Sequence, residues 1–270
     1  MKRLLIILAV STLIVGCIHI TVNDDNDNEK DYGPRVTRVY AVDGNYHELE
    51  VSHAFNVIMS DTATVATVTI DSALLDHIVF RVKDGTLKIG LKPGIYNNVR
   101  HASVVLPRNN RLDDIELCSS ARFYIESPFA SEKVSIELSG ASVFSSDFVD
   151  VTEFDLEASG ASYFIGSIQM IETGLLDVEL SGASTADISG CTDVLDIDIS
   201  GASIINAKNL DTKDVKGNVG GASNADVLCC ESIKVNVSGA SNLTYSTIAD
   251  GCEPVVSCPT TGNSTVTRRK

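Results

Sequence analysis

The sequence predicts an all-β protein, a single-stranded parallel β-helix built from coils of about 20 residues. Three observations predict it. The tetrad SGAS stands at 139–142, 159–162, 181–184, 200–203 and 238–241, with GGAS at 220–223. The residues leading into each tetrad alternate between apolar and polar. No stretch carries a sustained helical period, and Ile168–Leu176 has room for one helical turn at most.

The first residues of the tetrads, Ser139, Ser159, Ser181, Ser200, Gly220 and Ser238, are spaced by 20, 22, 19, 20 and 18. Cys118–Ala121 reads as a degenerate copy one period earlier, and Thr261–Ser264 as one a period later. Before the tetrads, Val134, Ile136 and Leu138 alternate with polar residues, as do Leu176, Val178 and Leu180. Strict alternation is the mark of a half-buried strand. Apolar residues after the tetrads, such as Phe144, Phe164, Ile205 and Leu243, predict a second strand per coil. The tetrad is then a corner. Its glycine takes dihedrals that a Cβ forbids, its alanine is expected to face inward, and its last serine bonds at the bend. On that reading Ala183→Glu is expected to be severe, because it buries a charge. A motif repeated on every coil is not a nucleophile, and the elbow G-x-S-x-G lacks its final glycine at Phe144.

The N-terminal part follows the same grammar more loosely. Leu49–Val57 aligns with Ile136–Phe144, with His53 at the place of the glycine. Val79–Lys83 and Thr86–Ile89 flank Asp84-Gly85, a two-residue hairpin turn. Such a hairpin suits the cap that hides a solenoid's edge.

The chain opens with Lys2 and Arg3, an apolar run from Leu4 to Val15, and Ile14-Val15-Gly16-Cys17. That is a signal-peptide pattern closing on a lipobox, which makes Cys17 the lipidation site. The expected organisation is a lipoprotein signal peptide over 1–16, an acidic disordered tether over 17–35, and a β-helix over 36–270. Within the last, 36–110 are atypical coils with the hairpin and 111–270 the SGAS coils. Cleavage moves the net charge from −15 to −17. So acidic a chain is a poor ligand for nucleic acid, and its membrane contact is expected through the lipid alone.

Two side-chain patterns stand out. Two places before the anchors, Glu116, Glu137, Glu157, Glu179 and Asp198 are expected to stack on one face, with Asp155, Asp177 and Asp196 beside them. The next coils switch to Asn218, Asn236, Lys216 and Lys234. This acidic ladder is a candidate site for a basic partner or for calcium, although calcium needs six to eight oxygens and a flat ladder offers few; a solvated surface is the plainer alternative. No other cofactor is expected. Cys229 and Cys252 each stand nine residues before an anchor, which puts them on adjacent coils as a candidate disulfide; Cys252–Cys258 is the rival.

LEVSHAFNVIMSD (49–61), LLDHIVFRVKDGTLKIGLK (74–92), VVLPRNNRLDDIELCSSA (104–121) and the serial SGAS together resemble the auto-transporter adhesin head domain, or GIN domain, family. The resemblance runs from about residue 39 to 267. It implies a right-handed parallel β-helix, an adhesive role and a bacterial envelope setting, often on lipoproteins; it carries no catalytic residues. The reading is therefore a lipid-anchored, non-enzymatic binding or scaffold protein of the outer membrane or cell surface, with a protein or glycan partner. Tyr163, Asn224 and Asn242, which follow the tetrads, are candidates to touch a glycan. A polysaccharide-active β-helix enzyme and a small-ligand or lipid-binding protein are the alternatives.

Overall fold

The computed structural model describes residues 33–42, 44–94, 102–247 and 252–269. The leader, Cys17 and most of the expected tether lie outside them. The regular structure of the described residues is nearly all strand, with one short 3-10 turn at Ser72–His77. The first strand starts at Arg35, at the edge of the expected tether. The strands are β1 (Arg35–Tyr40), β2 (Glu48–Val51), β3 (Phe55–Ser60), β4 (Ala66–Asp71), β5 (Ile78–Lys83), β6 (Thr86–Leu91) and β7 (Ala102–Pro107). They continue with β8 (Asp114–Leu117), β9 (Arg122–Ile125), β10 (Phe129–Ala130), β11 (Lys133–Leu138), β12 (Val143–Ser145) and β13 (Phe148–Ala158). Longer strands follow: β14 (Tyr163–Leu180), β15 (Thr185–Ile199), β16 (Ile204–Val219) and β17 (Asn224–Val237). The chain closes with β18 (Asn242–Ser246), β19 (Val255–Val256) and β20 (Thr265–Arg268).

They form a parallel β-solenoid of about 7 turns. One wall stacks β6, β2, β8, β11 and the later halves of β13 to β17, ending at β19. The wall across the tetrad corner stacks β7, β3, β9, β12, the first halves of β14 to β17, β18 and β20. The long strands wrap from the second wall back to the first, and Ile168 is strand throughout rather than a helical turn.

The N-terminal end departs from sequence order. The coil made by β6 and β7 stacks outside the coil made by β2 and β3, so β2 lies between β6 and β8. Antiparallel β5 closes the edge of β6, while β4 and β1 close the edge of β7. The expected hairpin is there: Lys83 faces Thr86, with Asp84 and Gly85 at φ 53° and 87°. Positive φ at both central residues is the geometry of a type I′ turn.

Each tetrad corner is a backbone ladder. Gly182 has φ +73° and receives the next coil's Ala202 N–H on its carbonyl at 2.7 Å. His53 and Ser119 stand at the glycine's place in the early coils, with φ 66° and 68°. The alanine expectation is corrected. Ala183 and its equivalents face solvent, and the inward residue is the following serine: Ser142, Ser162, Ser184, Ser203, Ser223 and Ser241 are all buried. The left-handed glycine turns the chain one residue later than the sequence reading placed the turn. Ser162 and Ser184 donate to the carbonyls of Ser159 and Ser181 at 2.6 and 2.8 Å, which satisfies those two buried hydroxyls, while the hydroxyls of Ser203 and Ser223 find no partner among the described residues. Inside the early coils lies an aromatic stack of Phe123, Phe144, Phe164, Phe148, Phe154 and Phe129.

Candidate functional site

Strand alternation sends one set of side chains on the first wall outward, and parallel register aligns that set from coil to coil. Glu116, Glu137, Glu157, Glu179 and Asp198 face one another in unbroken register, as the spacing predicts. Asp155, Asp177 and Asp196 form the second column. The structure adds residues that the spacing did not supply. Glu50 extends the first column beyond Glu116, and Glu48 and Asp114 extend the second, with Ser135 between Asp114 and Asp155. The alignment of Leu49–Val57 with Ile136–Phe144 contained this signal, since it places Glu50 over Glu137.

The six acids from Glu50 to Asp198 span about 24 Å at strand spacing. Unit charges about 4.8 Å apart repel by roughly 1 kcal/mol even in water. Cations bound the stripe. Lys88 follows Glu50 in the first column and is ion-paired to it. At the other end Lys216 pairs with Asp196 at 2.6 Å, and Asn236 donates to Asn218 at 3.0 Å. Lys133 bonds Glu153 at 2.6 Å and lies 3.8 Å from Asp155.

Five of the carboxylates along the stripe, Glu116, Glu137, Glu179, Asp155 and Asp177, hold their protons more tightly than ordinary acids. Partial burial, then Glu50 and Glu137, push Glu116 up to about 7. Burial and then Glu157 raise Glu137; burial and then Glu157 and Asp177 raise Glu179. Burial also leads for Asp155 and Asp177, the latter opposed by Lys216. A shallow groove of about 300 Å³ runs beside the stripe, lined by Glu137, Glu157, Glu179 and Asp198 and by the corner serines Ser159 and Ser181. Among the described residues, no group of three or more His, Cys, Asp or Glu side chains converges to hold a metal ion. The ladder's carboxylates stand side by side rather than around a point.

The opposite wall is different. Ile58, Tyr124, Ile165 and Ile204 are exposed there. Tyr163 donates its hydroxyl to Asp187, and Asn242 donates to Asn224 at 2.9 Å, so these three candidate glycan contacts already bond within the stack.

The disulfide expectation is corrected. Cys252 is bonded to Cys230, with a Cα–Cα distance of 5.3 Å, while Cys229 is a buried free thiol. Counting from the anchor finds the right coil and the wrong face, because adjacent strand residues point oppositely. Cys229 points inward and donates to the carbonyls of Lys213 and Ser232. Cys258, the rival partner, is also a free thiol. Non-reducing peptide mapping, with fragmentation between the two adjacent cysteines, is expected to place the link on Cys230. Alkylation of the native protein should spare Cys229, and a link on Cys229 would overturn the assignment.

Residues 45–248 match the family described as "Putative auto-transporter adhesin, head GIN domain". The chain belongs to this family. That makes it an adhesin-like protein of the cell surface or envelope. Solved structures share the fold. One, a "putative adhesin" from Parabacteroides merdae ATCC 43184, superposes with a TM-score of 0.76 at 19% identity, covering 88% of this chain and 97% of its own. Another, a "Putative lipid binding protein" from Parabacteroides distasonis ATCC 8503, gives 0.75 at 22% identity over 88% and 98%. A second P. distasonis structure, also a "putative adhesin", gives 0.73 at 21% over 88% and 98%. No match was found among curated proteins.

Proposed function

We propose that this GIN-domain protein is a lipid-anchored, non-enzymatic adhesin of the outer membrane that presents its acidic wall to a cationic protein partner. The observation that carries the reading is the unbroken, outward-facing column from Glu50 to Asp198. Repulsion along it is relieved when positive charges dock, which supplies both attraction and steering. Anchoring rests on Cys17 at the end of the leader. A second reading, contact with lipid, is favoured by the exposed Ile58, Tyr124, Ile165 and Ile204 of the opposite wall, and one structure of the same fold is described as a lipid-binding protein.

Full-length protein expressed in a bacterial envelope tests the proposal. It is expected to take acyl label and partition into detergent, and Cys17→Ala to do neither. Cells displaying it are expected to adhere to immobilised basic matrix proteins. Adhesion should fall several-fold in the variant Glu157→Gln, Asp177→Asn, Glu179→Gln and in raised salt. Equal adhesion by both proteins would sink the acidic wall as the binding face. Adhesion lost instead on changing Ile165 and Ile204 to serine would favour the opposite wall.

A further inference from the structure

The acidic stripe is most crowded where the N-terminal coil meets the repeat coils. There β2 pairs with β8, setting Glu48 opposite Asp114 and Glu50 opposite Glu116. On the far side of β8, Glu137 of β11 also stands opposite Glu116. Glu116 thus has a carboxylate on each neighbouring strand, Glu48 on the diagonal and Asp114 on its own strand. Like charges directly opposed across strands weaken the pairing.

The cations near the joint already have partners other than Glu116. Lys88 of β6, which acts on Glu116 from a distance, is bonded to Glu50. Lys133, at the head of β11, pairs with Glu153. His47 lies 3.4 Å from Asp113 where β2 and β8 begin. The joint also carries the fold's exception to sequence order, since β2 is held between β6 and β8 rather than beside its sequence neighbours.

We propose that this joint is a proton-controlled latch: a proton held on Glu116, between the opposed carboxylates of Glu50 and Glu137, keeps β2 on β8, and its loss loosens the N-terminal coil from the repeat coils. Burial and the flanking Glu50 and Glu137 place the Glu116 pKa at about 7, and burial also leads in raising Asp114 and Glu137. A carboxyl whose folded pKa lies above its unfolded value of roughly 4.3 binds its proton more tightly in the folded state. Its contribution is complete below the unfolded value and is lost as pH rises through the folded one. The latch is therefore closed in mildly acidic surroundings and weakens as pH rises through neutrality.

Hydrogen exchange on the full-length protein in detergent tests this, with rates corrected for the intrinsic effect of pH. Between pH 6 and pH 8.5, opening at the amides of β2 and β8 is expected to rise about tenfold relative to those of β15 and β16, equivalent to one pKa unit of proton linkage. Glu116→Gln, which keeps the shape and removes the titration, should abolish that rise, and Glu50→Gln should reduce it. Both variants leave His47 in place, so a histidine effect would survive in them. An unchanged rise in Glu116→Gln overturns the proposal. So does a rise shared equally by β15 and β16.

Discussion

Gly182→Val is expected to be among the most damaging single changes in the repeat region, costing more than about 4 kcal/mol, whereas Ala183→Glu beside it is expected to stay within about 0.5 kcal/mol of the parent. A Cβ at Gly182 would lie 2.6 Å from the Gly160 carbonyl oxygen and 3.0 Å from its nitrogen. These are backbone atoms of the neighbouring coil and cannot rotate away. The φ of +73° adds a strain of about 1–2 kcal/mol for a residue with a Cβ, more for a branched one. Relief would require parting the two coils, which opens the bonds from Ala183 N–H to Gly160 and from Ser181 N–H to Ala158. Ala183 points to solvent and has nothing to displace. Urea midpoints of the two variants decide the matter. A Gly182→Val protein as stable as its parent would mean that the corners are not in this register.

The contrast between those neighbours shows what the sequence displays and what it hides. The period, the strands before each tetrad and the ladder from Glu116 to Asp198 are legible because every coil repeats the same local grammar. Two strands with the same residue count to a shared corner must stack in register. The facing of residues at the corner is not legible in that way. A left-handed glycine shifts the inside–outside alternation by one, so Ala183 goes out and Ser184 goes in. The same parity problem moved the disulfide from Cys229 to Cys230.

The order of the N-terminal coils is hidden for a different reason. A repeat identifies a coil but not its neighbour, and β6 bears no mark that it stacks outside β2. That one topological fact brings Glu50 over Glu116, so the crowded end of the acidic wall was the part hardest to foresee. The aromatic interior was half visible. Phe144 and Phe164 stand at corresponding places after their tetrads, while Phe148 and Phe154 enter the same stack from the return strand β13.

Phe144→Ala carries the other large expected effect, a loss of about 3–5 kcal/mol. Phe144 is fully buried, and its ring meets those of Phe123, Phe164 and Phe148 at centroid distances of 5.6, 5.7 and 5.9 Å. Deleting it removes the transfer energy of one large side chain and leaves a cavity shared by three rings. The surrounding coils cannot collapse into it, because strand spacing along the solenoid is fixed by backbone hydrogen bonds on both walls. Phe144→Leu keeps much of the volume and is expected to cost less than half as much. The register also predicts an asymmetry along the axis. Phe164 is followed in its column by Ala186 and then by Ile205, so the interior narrows there. Ala186→Phe would overpack that level and is expected to destabilise by about 1–3 kcal/mol, although phenylalanine is the native choice one coil earlier. Thermal and urea midpoints of the three variants measure these differences. If Phe144→Ala and Phe144→Leu were equally mild, the aromatic stack would be a passive filling and the coils would be held by their backbone ladders alone.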